Sequence, residues 1–298
     1  MSIEKKPAAS TGRGYQWRYT IARRLVQLAI LGLFIGTARL GWTLFGQPLL
    51  SGDFSSSLLL GLIPLSDPFA VLQKLCALHT PELTMIVGSL IVLIAWIVLG
   101  GRSFCAWMCP MNLVTDLADQ LRTVLGIKSD MIRIHQNARY AIAIGALAAS
   151  AVSGVAAFEW VSPQAYLWRE LVWGLGWGAA SATFGVFALD LLGMRRGWCG
   201  HLCPLGAFWS TVGKVGIIRP LFDASKCDKC AKCIRICPEP HVMGLKDAAE
   251  NGFVKSGACL NCGRCIAVCP QDAIQFGLRF NAKPNQTFMN STQGERNA

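Results

Sequence analysis

The sequence predicts a membrane all-α bundle, four transmembrane helices arranged as two parallel helix-pair repeats, followed by a small α+β domain organised by cysteines. Three observations predict it: an apolar composition poor in charge, four separate apolar stretches, and a repeated cysteine pattern. Hydrophobic residues make up 53% of the 298-residue chain and charged residues only 15%, against about 25% charged in ordinary soluble domains. Lysine and arginine outnumber aspartate and glutamate by 28 to 17, a balance of +11. Such a balance fits nucleic acid, an anionic membrane surface, or basic loops kept on one side of a bilayer, and the position of the charges decides. Of 13 cysteines, eight fall between Cys227 and Cys269, at spacings that suit metal ligation better than disulfides.

The apolar stretches run from Leu25 to Ala38 (extendable to Phe45), Leu83 to Gly101, Tyr140 to Phe158 and Leu171 to Gly193. Each approaches the ~20 residues that carry a helix across a bilayer. The second contains no charged residue, which argues against a buried helix of a soluble core. The first includes Arg39, follows a long polar leader and continues into Trp42 and Leu44, as a retained anchor does and a cleaved signal does not. Outside the spans, lysine and arginine number six in residues 1–24, one in 46–82, five in 102–139, one in 159–170 and fourteen from 195 onward. Basic loops stay on the cytoplasmic side. Both termini and residues 102–139 are therefore expected in the cytoplasm, and the net charge is explained without a nucleic-acid partner.

The second and fourth spans end in one pattern used twice. Arg102-Ser103-Phe104-Cys105 leads to Cys109-Pro110, and Arg196-Gly197-Trp198-Cys199 leads to Cys203-Pro204. Each copy follows a pair of spans and reaches the same side, so the two Cys-x3-Cys-Pro ends are expected to face each other. Three readings stand for Cys105, Cys109, Cys199 and Cys203: a shared metal or iron-sulfur centre, redox-active thiols, or inert packing. His201 lies within the second copy as a ligand or a hydrogen-bonding partner. After the first copy, Leu113, Leu117, Leu121, Val124 and Leu125 lie on one side and Asp116, Asp119 and Arg122 elsewhere, the pattern of an interfacial amphipathic helix.

Beyond Leu205–Ile218, a second apolar stretch, comes Cys227-x2-Cys230-x2-Cys233-x3-Cys237-Pro238, repeated as Cys259-x2-Cys262-x2-Cys265-x3-Cys269-Pro270. Three close thiolates wrap one corner of a cubane, and in two-cluster ferredoxins the fourth crosses to the other cluster. The spacing thus predicts two [4Fe-4S] clusters, one on Cys227, Cys230, Cys233 and Cys269, the other on Cys259, Cys262, Cys265 and Cys237. Because neither half completes its cluster alone, Cys227–Phe276 is expected to fold only with metal. The domains read as a cytoplasmic segment (1–22), a transmembrane domain (23–220), an α+β two-cluster ferredoxin domain (221–277) and a disordered tail (278–298).

With four spans, two Cys-x3-Cys-Pro motifs, Cys199-Gly200-His201-Leu202-Cys203-Pro204 and Cys237-Pro238-Glu239-Pro240-His241, residues 23–276 resemble the NapH/MauN family of ferredoxin-type membrane proteins. Ser55-Ser56-Ser57-Leu58-Leu59 and Pro64-Leu65-Ser66-Asp67-Pro68 fit the same pattern, most like the NapH branch. That resemblance implies a quinol dehydrogenase subunit of the periplasmic nitrate reductase system. It would oxidise membrane quinol and pass electrons to a NapG-like iron-sulfur protein, a membrane-anchored multihaem cytochrome and the periplasmic reductase. The methylamine-utilisation branch implies an alternative, an electron donor for cofactor maturation in a partner enzyme. With the ferredoxin domain in the cytoplasm and the acceptor outside, electrons must recross the bilayer or the soluble clusters serve another role.

A quinol releases two electrons and two protons, so its site needs an apolar slot with a proton acceptor. The candidates are Asp67 and His79 in the outer loop, Arg39 near the end of the first span, and Asp190 near Arg195 and Arg196. Snorkelling by Arg39 and an ion pair at Asp190 are the competing structural readings. Cys76 fits no motif and reads as a small apolar residue.

Overall fold

Glycine, proline and polar caps divide the apolar stretches, and the computed structural model shows where. It describes residues 13–284 apart from 45, 53, 54, 128, 175 and 176. Residues 1–12 of the expected cytoplasmic segment and 285–298 of the expected tail lie outside the described residues. In chain order the elements are α1 (Arg13–Leu40), β1 (Thr43–Leu44), β2 (Gln47–Pro48), β3 (Leu50–Gly52), β4 (Ser56–Leu59), β5 (Ile63–Ser66), α2 (Pro68–Cys76), α3 (Leu83–Leu99), α4 (Ser103–Trp107) and α5 (Met111–Val124). There follow α6 (Ala138–Ser153), α7 (Ala157–Val161), α8 (Pro163–Trp173), α9 (Trp177–Ala188) and two π-helical turns, Leu189–Gly193 and Gly197–Leu202. The chain ends with α10 (Pro204–Val212), β6 (Ile218–Phe222), α11 (Lys232–Ile236), α12 (Leu245–Asn251), α13 (Arg264–Val268) and β7 (Ile274–Leu278). Two compact units result: Leu25–Trp96 with Phe104–Trp209, and the described residues up to Arg24 with Ile97–Ser103 and those from Ser210 onward.

The helices of the second, third and fourth expected spans are shorter than their apolar stretches. Among the described residues, Trp17–Leu40 alone is both long and apolar enough to cross a membrane by length and composition; Leu83–Leu99, Ala138–Ser153 and Trp177–Gly193 are shorter apolar helices. α1 stops at Leu40 because Gly41 turns with φ +65°, and Thr43–Leu44 then pair as a strand, so the span does not run on past Leu40. α6 stops at Ser153, where Gly154 caps it in the left-handed region, and Phe158 belongs to α7. The stretch from Leu171 is divided, its first residues closing α8 at a Gly174 cap, Trp177–Ala188 forming α9 and Leu189–Gly193 a π-helical turn.

Residues 46–82 fold into more than a turn. β3, β4 and β5 form an antiparallel meander, with Leu50 opposite Leu59 and Ser56 opposite Ser66. Asp67 then caps α2 by accepting from the Phe69 backbone N–H, with Pro68 in the first turn, a combination that satisfies a free helix-end donor and presets the backbone. Gln73 of α2 is fully buried, and its Oε1 accepts from the Phe158 N–H at 2.9 Å. Aromatic rings fill the interior, Phe34 against Trp168 at 4.6 Å and Phe104 stacked on Trp209 at 5.2 Å.

Two helices of the first unit, α3 and α5, bury mostly small or polar residues and expose many of their large apolar ones. In α3 the buried residues are Gly88, Ser89 and Trp96, while Leu90 and Ile94 are exposed. In α5 the buried face carries Asn112, Thr115, Asp116, Asp119 and Arg122, and Leu117 and Val124 face outward. Water-soluble helices do the reverse. The polar face of α5 is buried because it meets opposite charges: Arg196 pairs with Asp116, Arg195 with Asp119 at 2.6 Å, and Arg122 with Asp130 at 2.8 Å.

The second unit is built around the antiparallel pair β6 and β7, with Ile218 opposite Leu278 and Phe222 opposite Ile274. Its core gathers Phe222, Val242, Met243, Ala248, Ala249, Val254, Ile266 and Ile274. The ring of Tyr19 packs edge-on against Phe276 at 5.6 Å.

Candidate functional site

The two halves of the cysteine doublet fold alike. Lys229 and Asn261 stand at matching positions, as do Ala231 and Gly263, and all four have positive φ. These left-handed residues turn the backbone back on itself between ligands, and they end in the short helices α11 and α13, which carry Cys233 and Cys265. At Gly263 a Cβ would lie 2.5 Å from the Tyr19 ring, so glycine meets both the backbone angle and the close approach.

Cys237 lines a small cavity together with Cys259, Cys262 and Cys265, alongside Pro220, Glu239 and Asn261. In the other half, Cys227 and Cys233 each feel the charge of Cys230 and Cys269. Each set therefore contains three cysteines of one run and the last of the other. Burial first, then neighbouring thiolates, pushes Cys237 up to about 12 and Cys233 to about 11; burial likewise pushes Cys259 to about 11. Thiols raised in this way stay protonated until a bound cation displaces the proton, so ligation would release protons. Backbone N–H groups of Lys229 and Ala273 point at Cys227 Sγ and Cys269 Sγ, both at 3.4 Å, donors that stabilise a thiolate. Among the described residues no three His, Cys, Asp or Glu side chains close on one point as ligands of a single ion do. The donor set fits iron-sulfur clusters, whose ligands hold separate corners.

The Cys-x3-Cys-Pro motifs also meet. Burial raises the Cys109 thiol, followed by Cys105 and Cys203; burial raises Cys199, followed by Asp190, Cys203, Cys109 and Cys105. All four cysteines thus lie in one neighbourhood. Buried glutamines, unremarked in the sequence, frame the first motif: Gln27 donates to the Ala106 carbonyl at 2.9 Å, and Gln164 Oε1 lies 3.6 Å from Cys109 Sγ. His201 Nδ1 lies 3.3 Å from the Arg196 carbonyl.

The proposed quinol-site residues do not gather in one place. His79 lines a cleft of about 760 Å³ with Ser56, Lys74, Glu82, Met85 and Trp160. Asp67 is buried next to Ser66, which lines that cleft, and burial reinforced by Glu159 raises its carboxyl to about 7. Ser55 holds Glu159 through a 2.6 Å hydrogen bond; Glu159 lies 92 positions from Asp67, so no local sequence signal joins the two. Arg39 donates instead to the Glu170 carbonyl at 3.3 Å. Asp190 accepts from the Trp198 N–H at 3.0 Å, while Arg195 and Arg196 pair with Asp119 and Asp116. The ion pair expected at Asp190 thus forms on α5, whose carboxylates reach those guanidiniums.

A 4Fe-4S binding domain model matches residues 82–128 and again 175–222, and a 4Fe-4S dicluster domain model matches 226–274. Fold and cysteine placement together define an iron-sulfur electron-transfer protein. The chain is 41% identical over 240 residues to the ferredoxin-type protein NapH of Haemophilus influenzae, covering 80% of this chain and 81% of that protein. It is 43% identical over 232 residues to the methylamine utilization ferredoxin-type protein MauN of Methylorubrum extorquens (78% of each), and 37% over 243 residues to NapH of Escherichia coli (81% and 80%). The chain belongs to the NapH/MauN ferredoxin-type family. No solved structure matches it.

Proposed function

We propose that this protein is a multi-pass inner-membrane electron-transfer subunit that oxidises quinol and passes single electrons through iron-sulfur centres to a redox partner. The observation that carries the reading is the joining of two crossed four-cysteine sets to helices that turn their apolar sides outward. Such helices suit lipid, and tilting or thinning of the bilayer accommodates spans shorter than its core. The positive-inside count puts both termini in the cytoplasm.

Cys227, Cys230, Cys233 and Cys269 hold one cluster and Cys259, Cys262, Cys265 and Cys237 the other; when bound, each supplies reversible one-electron storage. The four converging cysteines of the Cys-x3-Cys-Pro motifs, within the twice-matched 4Fe-4S binding region, support a further centre there. The half-open cleft beside His79 is the quinol slot. Trp160 and Met85 offer apolar contact, His79 is a hydrogen-bond partner for the ring oxygens, and Asp67 receives a proton by way of Ser66. Its carboxyl, near 7, is matched to proton exchange at neutral pH.

Anaerobic quinol-dependent reduction of the purified protein tests this reading, with loss of most of the rate expected in Asp67→Asn and His79→Gln; absence of any reduction in the iron-loaded protein rejects it. Iron analysis tests the further centre: about twelve irons per chain are expected with it and about eight without. NapH-type relatives favour delivery to a NapG-like partner, a multihaem cytochrome and nitrate reductase. The equally similar MauN relative favours an electron donor for cofactor maturation. Deletion separates them, since the first leaves a fully loaded but unreduced partner enzyme and the second a cofactor-deficient one.

A further inference from the structure

Two buried guanidiniums are fastened to the backbone just ahead of Cys259. Arg102 donates to the Ala258 carbonyl at 3.1 Å, and Arg219 donates to the Ser256 carbonyl at 3.0 Å and to the Gly213 carbonyl. Arg102 is neutralised by Glu239 at 2.7 Å. Arg219 is 0% exposed, has no carboxylate partner among the described residues, and keeps its Nε without a hydrogen-bond acceptor. A buried cation with no counter-charge is strongly unfavourable, so this position calls for an anion. The thiolate of Cys259 is close enough to act on Arg219 electrostatically, against the downward pull of burial on its pKa. A four-iron cluster with four thiolates is net negative in both redox states, and more so when reduced.

We propose that Arg219 is the buried counter-ion of the cluster on Cys237, Cys259, Cys262 and Cys265, and that it raises that cluster's reduction potential. The inference rests on the cluster assignment above. A fixed positive charge in a medium of low dielectric favours the more negative, reduced state. The other cysteine set is bordered by Lys226, Asp228, Lys229 and Lys232, all solvent-exposed, where water screens them. One cluster of the two should therefore depend on Arg219.

The test is an anaerobic redox titration, followed by EPR, of the full-length protein in detergent, comparing the native chain with Arg219→Gln and Arg219→Lys. In Arg219→Gln one potential falls, so that at a fixed solution potential that cluster's oxidised-to-reduced ratio rises about tenfold, which for one electron is about 59 mV. The other potential stays in place, and Arg219→Lys restores the first. Two unmoved potentials, an equal shift of both, or an Arg219→Lys shift as large as that of Arg219→Gln overturns the inference and leaves the cluster assignment standing. Should Arg219→Gln lose the cluster, Arg219→Lys decides: both clusters at native potentials support the counter-ion role, and loss of iron overturns it. A native protein lacking the second cluster removes the assignment and the inference together.

Discussion

Asp67 both caps a helix and sits where a proton can be exchanged. Its folded-state pKa of about 7 stands above the ordinary 3.8. Between those values the folded protein keeps a proton that the unfolded chain has released, so this contribution to stability is full below about pH 4 and is lost as the pH rises through 7. Asparagine retains the cap and does not titrate. Asp67→Asn should therefore flatten the fall in Tm between pH 4 and 7, measured by thermal melts in detergent; an unchanged slope would show that another group titrates there. Arg196 makes a second case. It is buried against buried Asp116, and truncation leaves an uncompensated carboxylate. Arg196→Met should cost about 3–5 kcal/mol, while the double variant with Asp116→Leu should recover much of it. Denaturant or thermal unfolding reads both. The charges of α5 were visible in the sequence as one side of an amphipathic run, but which side faces inward was not, because Arg195 and Arg196 arrive from more than 70 positions away.

At the level of elements, the cysteine doublet and the apolar helices make separable predictions. If the last cysteine of each run crosses over, Cys237→Ser should weaken the same EPR signal as Cys259→Ser, and Cys269→Ser the same signal as Cys227→Ser. Pairing within each run would reverse those groupings. The outward apolar face of α3 offers a test of membrane crossing. Ile94 is 61% exposed, so Ile94→Asp would be nearly silent in water, yet should cost about 2.5–3.5 kcal/mol at the centre of a bilayer. Membrane insertion of a fusion carrying α3 measures that difference. The apolar helices were legible as apolar stretches, whereas their ends were not. Gly41, Gly154 and Gly174 close helices within or beside runs that remain apolar beyond them, and hydropathy carries no record of backbone direction.

For the whole molecule, the ferredoxin-type unit has a core of modest size that includes Ala224, Ala248, Ala249 and Ala258 and against which cysteines pack. Removing iron should unfold it, since metal binding and folding share one free energy. Hydrogen exchange before and after anaerobic chelation should show protection lost across Cys227–Phe276 and retained in Leu83–Leu99; protection kept in both would mean that the polypeptide alone holds the fold. Part of that unit comes from outside the run of cysteines. β6 precedes Cys227 and closes the sheet on β7, and Asn261 Nδ2 donates to the carbonyls of Leu99 and Ile218 at 3.0 and 2.8 Å. A boundary drawn at residue 221 by composition divides β6, because a strand's partner lies some 55 positions further on.

By itself the sequence determined the family and the iron-sulfur character, since ligand spacing around a cluster is set by a few covalently adjacent residues and is written locally. Only the tertiary structure decided which charges are buried together, that the segment before α2 holds a sheet beside a cleft, and that Arg219 is enclosed without a carboxylate partner among the described residues. Those features arise from contacts between distant segments, where burial removes water and makes each unpaired charge costly.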